Sequence, residues 1–326
     1  MENVNIKELN DRIQQESSFV DILSLEMGKV IVGQKALVEN LLIGLLAGGH
    51  ILLEGVPGLA KTLAINTLAQ AVSAKFNRIQ FTPDLLPADL IGTLIYSQKN
   101  ESFEVHKGPV FANFVLADEI NRSPAKVQSA LLEAMQEKRV TVGGTSYALP
   151  NPFFVLATQN PIEQEGTYPL PEAQLDRFMF NVRLDYPSFD EEVQIVRQTT
   201  VQRYEHPSTV LSADEIIAFQ EVIRRMPVPD NVVEYAVRLV GHTRPTGQTS
   251  QTSRYISWGA GPRASQYLIT GARCYAALHG KYSPDAEDVR AVAFNVLRHR
   301  IVRNYYAEAE GITTDHIIAS LLNNEA

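Results

Sequence analysis

The sequence predicts an α/β fold in which a parallel β-sheet covered by helices is followed by a second, helical domain. Two observations predict the sheet: short apolar runs alternate with segments of helical spacing, and a glycine-rich loop joins one such run to a helix. A third predicts the second domain, because strand signals fade after the Asp-Tyr-Pro sequence at 185–187. A chain of 326 residues also exceeds what one hydrophobic core usually fills. We therefore expect a core domain at 1–187 and a helical domain at 188–326.

The elements of the first domain follow from the spacing of its apolar residues. Helical spacing covers 8–25, 35–46, 61–72 and 124–136. Continuous apolar runs, typical of strands buried on both faces, cover 51–53, 79–81, 114–117 and 153–157. Two segments fall outside this alternation, the proline-punctuated 82–92 and the segment 138–149, whose alternating valines before a Gly-Gly pair predict a β-hairpin. In the second domain, 242–261 is rich in Ser, Thr, Gln and Gly, which predicts one long exposed loop.

Composition and charge limit the classes of function. The 29 basic and 37 acidic residues give a net charge of −8 with no block of like charge, which disfavours a nucleic-acid binder that relies on bulk attraction. The single cysteine, Cys274, cannot form an intrachain disulfide, and the polar N-terminal segment lacks the apolar stretch of a signal peptide. A cytoplasmic location is therefore expected. No membrane span is expected either, because the most apolar stretch, 41–53, is short and interrupted by glycines.

A glycine-rich loop follows the first predicted strand and opens a helix. Residues 55–62 read Gly-Val-Pro-Gly-Leu-Ala-Lys-Thr, which is close to the phosphate-binding Walker A pattern and stands in the context that this pattern requires. Such a loop turns its N–H groups toward phosphate oxygens, and the helix N-terminus adds partial positive charge. Lys61 would reach the β and γ phosphates, and the Thr62 hydroxyl would ligate magnesium. Ala60 stands where the pattern usually has glycine, and alanine tolerates the helical conformation there.

Two carboxylates end a later apolar run. Residues 114–119 read Phe-Val-Leu-Ala-Asp-Glu, a Walker B pattern. An exposed acidic turn would show the same pair, but its place downstream of a phosphate loop favours a catalytic interpretation. Open α/β sheets bind ligands at the C-terminal ends of their strands, so Asp118 would hold magnesium through water and Glu119 would polarise the attacking water.

Three further side chains are candidates for contact with the γ phosphate. Asn160 comes three residues after the apolar run at 153–157 and could hydrogen-bond the γ phosphate or orient the attacking water, although Asn before proline is also an ordinary turn. Arg177 and Arg263 stand beside helix signals, the latter after a Gly-Pro pair. An arginine from the same or a neighbouring subunit could stabilise phosphoryl charge, while a surface ion pair is the alternative for both.

The motifs taken together resemble one family. Besides the loop at 55–62, they are Leu-Ala-Asp-Glu-Ile-Asn-Arg at 116–122, Ala-Thr-Gln-Asn-Pro at 157–161, Leu-Asp-Arg-Phe at 175–178 and Gly-Ala-Gly-Pro-Arg-Ala at 259–264. This set resembles the MoxR family of AAA+ ATPases, in which the same loop also carries alanine at the place of Ala60. The resemblance implies a P-loop NTPase core of the AAA+ type with a five-stranded parallel sheet, an all-α lid domain, and assembly into a ring, expected to be a hexamer.

The resemblance also assigns roles to residues. Asn160 takes the role of sensor 1, Arg177 that of an arginine finger acting in trans, and Arg263 that of sensor 2. The catalytic set implied is Lys61, Glu119, Asn160, Arg177 and Arg263, and the magnesium ligands are Thr62 and Asp118. The residues expected to contact ATP are Val32 and Gly33 at the adenine, then Gly55, Pro57, Gly58, Leu59, Ala60, Lys61, Thr62, Leu63 and Arg263.

The function implied is an ATP-hydrolysing motor that remodels or matures partner proteins, as MoxR relatives are thought to do with metal-binding von Willebrand A domain proteins. The segment 82–92 would be the helix 2 insert, and both it and the hairpin at 138–149 would face the partner or the pore. A chelatase-type AAA+ subunit is one alternative, and it differs by partner rather than by active site. A nucleotide-gated scaffold with little turnover is another, and the presence of Glu119, Asn160 and Arg177 argues against it.

Overall fold

The computed structural model describes residues 19–55, 61–160, 166–200, 207–245 and 253–324. The chain divides into two compact units. The larger contains Asp21–Phe178 and Val182–Ala218, and the smaller contains Met179–Asn181 and Phe219–Ala326. The predicted domain boundary at residue 187 stays a prediction.

Up to residue 200, the described part of the chain contains both helices and strands. In chain order the elements are α1 (19–30), α2 (Lys35–Ala47), β1 (Ile51–Glu54), α3 (Lys61–Ala71), β2 (Phe76–Gln80), α4 (Pro87–Ile91), β3 (Gly92–Ser97), β4 (Ser102–Lys107), β5 (Phe114–Asp118), a 3-10 turn (Ile120–Arg122), α5 (Ala125–Glu137), β6 (Arg139–Val142), β7 (Thr145–Ala148), β8 (Phe154–Gln159), α6 (Glu172–Leu175), β9 (Phe180–Arg183) and α7 (Phe189–Thr200). The remaining elements are α8 (Ala213–Arg225), α9 (Asp230–His242), a 3-10 turn (Ser253–Tyr255), β10 (Ile256–Trp258), α10 (Pro262–Leu278), α11 (Ala286–Leu297), β11 (Val302–Arg303), α12 (Tyr305–Ala309) and α13 (Thr314–Asn324).

The central sheet has five strands in the order β2-β5-β8-β1-β9, which confirms the predicted five-stranded parallel sheet. The parallel register places Gln80 beside Asp118, Ala117 beside Ala157, and Glu54 beside Gln159. Because parallel strands end at the same edge of a sheet, the residues after β1, β5 and β8 meet there. This edge carries the motifs identified in the sequence.

Burial explains why the central strands were predictable. Strands β1, β5 and β8 lie inside the sheet, and almost all of their side chains are buried. Helices α2, α3 and α5 lie within about a residue of the predicted spans, which is the usual uncertainty of helix ends. Strand β2 differs, since it begins at Phe76 rather than residue 79. It is an edge strand with half-exposed residues at its start, so its apolar run marks only its end.

A buried histidine joins the sheet to α5. The Val155 N–H donates to His50 Nδ1 at 3.1 Å, and His50 Nε2 lies 3.2 Å from the Met135 carbonyl oxygen. The ring of Phe153 packs edge-on against the imidazole, with 5.8 Å between ring centroids. Burial lowers the pKa of His50 to about 4, and the nearby Lys138 charge acts in the same direction. His50 is therefore neutral at neutral pH.

Two hairpins extend from the core. The predicted one is confirmed as β6 and β7, whose two-residue turn, Gly143 and Gly144, has φ of 58° and 81°. Two positive φ values are the requirement of a type I′ turn, and glycine meets it without strain. The other hairpin, β3–β4, follows α4. The segment predicted at 82–92 as an insert is thus only the first part of a longer insertion between β2 and β5.

From residue 219 onward, the described residues of the smaller unit form helices and one pair of short strands. Strand β10 pairs antiparallel with β11, and Ile256 is buried. The single exposed loop expected at 242–261 is therefore wrong at this pair, while residues 246–252 lie outside the described ranges. A three-residue strand whose partner lies more than forty residues further along gives no local signal. Among the residues with described structure, no helix is long and apolar enough to cross a membrane.

Candidate active site

Lys61 lies at the start of the described part of α3, beside the end of β1. Its Nζ donates to the carbonyl oxygen of Gly55. Burial lowers the pKa of Lys61, and the negative charges of Asp118 and Glu119 oppose that effect. The ammonium group of Lys61 therefore lies close enough to the two carboxylates to interact with them electrostatically. Thr62 and Leu63 follow Lys61 in the first turn of α3.

The rest of the phosphate loop, residues 56–60, lies outside the described residues. The contacts expected there involve Pro57, Gly58, Leu59 and Ala60. They stay predictions.

Asp118 ends β5 with both carboxylate oxygens engaged. Oδ1 accepts a hydrogen bond from the Thr158 hydroxyl at 2.7 Å. Oδ2 accepts from Arg78 twice, at 2.5 Å from Nη2 and 3.1 Å from Nε. The Asp118 side chain is only 17% exposed, against 50% for Arg78. A fixed carboxylate at the end of a buried strand is the arrangement that a metal ligand requires.

Glu119 leaves the line of the strand. Its backbone is left-handed, with φ of 55° and ψ of 52°, a conformation that costs a residue with a side chain about 1–2 kcal/mol. The Glu119 N–H donates to the Thr158 hydroxyl at 2.9 Å, so one hydroxyl holds both the Asp118 side chain and the Glu119 backbone. The Glu119 carboxylate accepts from Gln80 at 3.3 Å and pairs with Arg122 at 3.4 Å. Asp118 and Glu119 are adjacent in the chain, but their carboxylates have different partners.

A buried glutamine fixes the turn after Glu119. The Gln128 side-chain nitrogen donates to the carbonyl oxygens of Ile120 at 3.3 Å, Ser123 at 3.1 Å and Tyr168 at 2.9 Å. The Tyr168 N–H in turn donates to the Asn121 carbonyl at 2.6 Å. The buried Gln128 side chain therefore holds both the turn after Glu119 and the segment that leads into α6.

Three of these residues were not singled out in the sequence. Thr158 directly follows the apolar run at 153–157 and is buried like it, which hid its polar role. Arg78 and Gln80 alternate along β2, and two polar side chains at i and i+2 lie on one face of a strand. That alternation beside a strand ending in acids is the signal that could have found them.

The structure places the other predicted residues as follows. Asn160 directly follows β8 and so lies at the same sheet edge as Asp118. Arg177 follows α6 in the larger unit, and its N–H donates to the Gln174 carbonyl at 3.2 Å. Arg263 is the second residue of α10 in the smaller unit, after Pro262 as predicted. The catalytic roles of all three stay predictions.

Val32 and Gly33 connect α1 to α2. Gly33 has φ of 80°, and a Cβ there would lie 2.6 Å from the Cδ of Glu191 in α7. The positive φ favours glycine, and the Glu191 side chain would have to shift to admit a Cβ at this position. Glu191 is itself held by the N–H and hydroxyl of Ser188, each at 2.8 Å, and these hydrogen bonds lower the pKa of Glu191. The segment thus packs against the first turn of α7, and its contact with adenine stays a prediction.

Comparison with known proteins decides the family. Residues 50–180 match the ATPase family associated with various cellular activities (AAA), and residues 248–321 match the AAA lid domain. The chain is 49% identical over 303 residues to Chaperone MoxR1 of Mycobacterium tuberculosis, a match that covers 92% of this chain and 80% of that protein. The chain belongs to the MoxR family of AAA ATPases.

Two further comparisons agree with this membership. YeaC of Bacillus subtilis is 43% identical over 301 residues, with 91% of each chain covered. The crystal structure of a candidate ATPase from Cytophaga hutchinsonii superposes with a TM-score of 0.89 at 49% identity, over 97% of this chain and 96% of that one. The resemblance found from the sequence motifs and the AAA fold with a lid domain are therefore confirmed.

AAA ATPases use magnesium nucleotide, and the residues present fit this group. Thr62 offers a hydroxyl oxygen and Asp118 a carboxylate oxygen, the hard oxygen ligands that magnesium prefers. Such an ion usually keeps several waters and takes phosphate oxygens for its other positions, so two protein ligands suffice. The half-buried Lys61 supplies a compensating cation for phosphate.

Proposed function

We propose that this MoxR-family protein binds ATP with magnesium, hydrolyses it, and uses the turnover to remodel or mature partner proteins. The observation that carries the proposal is the shared hydroxyl of Thr158, which holds the Asp118 carboxylate and the Glu119 backbone at one sheet edge with Lys61. Preorganised charges of this kind provide most of the rate enhancement in phosphoryl transfer.

Each residue then has a distinct task. Lys61 would neutralise phosphate charge, and Thr62 with Asp118 would hold magnesium, which when bound spreads the charge of the phosphates. Glu119 would orient a water molecule and accept its proton, with Asn160 placing that water. Arg177 of a neighbouring subunit and Arg263 of the lid would stabilise charge on the γ phosphate as the bond to it breaks.

Assembly follows from the role of Arg177. If this arginine serves the site of a neighbour, hydrolysis requires a ring, and we propose a hexamer in the cytoplasm. The proposed partner is a von Willebrand A domain protein or another client that the ring matures, including by insertion of a metal cofactor.

The hairpin β3–β4 is the proposed client contact. Tyr96 and Phe103 pair across its strands, their rings are stacked edge to face at 5.4 Å, and their exposures are 51% and 69%. Ile95, on the other face of the same strand, is 50% exposed. Large apolar side chains grouped in water mark interaction surfaces. The hairpin therefore supports contact with a protein client.

The first test is hydrolysis by Glu119→Gln. This variant should retain nucleotide binding and release phosphate at least about a hundredfold more slowly than the natural chain, because a general base contributes about 10² to 10⁴ in rate. Glu133→Gln, an exposed change on α5, is the matched control and should leave the rate unchanged. Equal phosphate release by Glu119→Gln would remove Glu119 from the mechanism. Binding without turnover in the natural chain would favour the scaffold alternative.

The same variant tests for the client. A ring stalled by Glu119→Gln in ATP should retain its client in a pulldown with purified von Willebrand A domain protein. Adding Phe103→Ser should release that client without changing nucleotide affinity, because the hairpin lies outside the site. Retention of the client by the double variant would exclude the hairpin as the contact surface. In a parallel pulldown with purified chelatase partner subunits, their retention instead would favour the chelatase alternative.

A further inference from the structure

Arg78 forms an ion pair with Asp118, the carboxylate that is proposed to hold magnesium. It extends from the edge strand β2 and donates to Asp118 Oδ2 through Nη2 at 2.5 Å and through Nε at 3.1 Å. Its Nη2 also donates to the Gln80 side-chain oxygen at 2.9 Å. The guanidinium is therefore held by two acceptors on the face of the sheet where the acids lie.

The two oxygens of Asp118 are not equivalent. Oδ1 accepts a hydrogen bond from the Thr158 hydroxyl. Thr158 is 2% exposed, and its hydroxyl also accepts a hydrogen bond from the Glu119 N–H. The hydrogen bond to Oδ1 cannot break without leaving buried polar groups unsatisfied. Oδ2 faces the half-exposed side of the site, where Arg78 binds it. Oδ2 is consequently the oxygen left for the water of a hydrated cation, and Arg78 is already bound to it.

We infer that Arg78 competes with magnesium for Asp118. Without nucleotide, Arg78 neutralises the carboxylate and repels a divalent cation. When phosphate brings the cation to the site, Arg78 leaves Oδ2 and turns to solvent. This inference rests on the proposed role of Asp118 as a magnesium ligand, and it adds that Arg78 makes magnesium binding depend on nucleotide.

The exposure of Arg78 makes this exchange feasible. Half of its side chain is already in water, so it can leave Asp118 without opening the core. Ion pairs at such positions are weak, and removing one should change a competing equilibrium by about fivefold at most. A competitor of this strength raises the magnesium requirement without blocking the site.

The test is the magnesium dependence of nucleotide binding, measured without hydrolysis. A fluorescent N-methylanthraniloyl-ADP at fixed concentration is mixed with the full chain, and Mg²⁺ is titrated from an EDTA-treated start. In Arg78→Met the Mg²⁺ concentration at half-maximal fluorescence should fall by about fivefold, since no competitor remains. Arg78→Lys keeps the charge without the two-pronged geometry and should fall between the two.

Arg183→Met is the matched control. Arg183 is also a half-exposed arginine on a strand of the central sheet and pairs with Glu54 at 3.5 Å. The Arg183→Met variant loses the same charge as Arg78→Met. A general electrostatic effect would therefore lower its half-point, the Mg²⁺ concentration at half-maximal fluorescence, as well. Competition at Asp118 instead leaves the half-point of Arg183→Met within about twofold of that of the natural chain.

The outcomes separate the two proposals. A half-point in Arg78→Met equal to or above that of the natural chain overturns the competition, as does an equal fall in Arg183→Met. If Arg78→Met fails to fold, a half-point in Arg78→Lys that is unchanged or raised overturns it. Absence of any magnesium-dependent signal in the natural chain contradicts the proposed magnesium nucleotide site itself, independently of the results for the variants.

Discussion

Thr158→Val removes the one hydroxyl that organises both acids, and its effect can be worked out from the structure. Valine keeps the size and the branched shape of threonine, so β8 should retain its packing. The hydrogen bond to Asp118 at 2.7 Å is charge-assisted and contributes about 1.5–3 kcal/mol. The Glu119 N–H would lose its acceptor, which costs about 1–3 kcal/mol if no water replaces it.

The sum must be discounted because Asp118 keeps Arg78 and the Glu119 side chain is 34% exposed, so water reaches the turn. We therefore expect the free energy of unfolding to fall by about 3 kcal/mol. Thr158→Ser keeps the hydroxyl and loses one buried methyl, which costs about 1 kcal/mol.

Urea unfolding followed by far-ultraviolet circular dichroism measures both values. The valine variant should be less stable than the serine variant by about 2 kcal/mol and should release phosphate more slowly at saturating ATP. Equal stability of the two variants would refute the assignment of the hydroxyl as the organiser of the turn.

Two other predictions concern the core and the segment before α2. Because burial lowers the pKa of His50 from an ordinary 6.5 to about 4, its stabilising contribution is complete above pH 6.5 and is lost as the pH falls toward 4. About 2 kcal/mol should be lost between pH 7.5 and pH 5, measured by urea unfolding. His50→Asn should flatten this slope, and an unaltered slope would exclude His50 as its origin. Gly33→Ala combines φ of 80° with a Cβ 2.6 Å from Glu191, so it should lower the thermal midpoint, and less so in the presence of Glu191→Ala, which relieves the clash but not the backbone strain. Strictly additive effects of the two changes would contradict that contact.

The sequence predicted the parts of the fold whose signals are local. Strands β1 and β5 are continuous apolar runs because both of their faces are buried, and the turn of β6–β7 requires two glycines. The start of the edge strand β2 and the pair β10–β11 were missed, since half-exposed or very short strands have no distinctive periodicity. These strands form by pairing with strands that lie far away along the chain.

The same distinction applies to the site. The phosphate loop and the acid pair can be proposed from the sequence because the chemistry of each motif is contained in a few adjacent residues. The partners of those acids were not identified in this way. Arg78, Asp118 and Thr158 are each 40 residues from the next along the chain, and they meet only because β2, β5 and β8 are neighbours in the sheet.

The amide of Gln128 has a mechanical consequence for a ring. It ties the turn after Glu119 to the Tyr168 carbonyl, and the chain from there runs through α6 to Arg177. A tilt of that turn would strain the hydrogen bonds that Tyr168 makes with Gln128 and Asn121. Under the proposed function, the turn that carries the proposed base and the segment that leads to the proposed arginine finger are therefore joined by hydrogen bonds within one subunit.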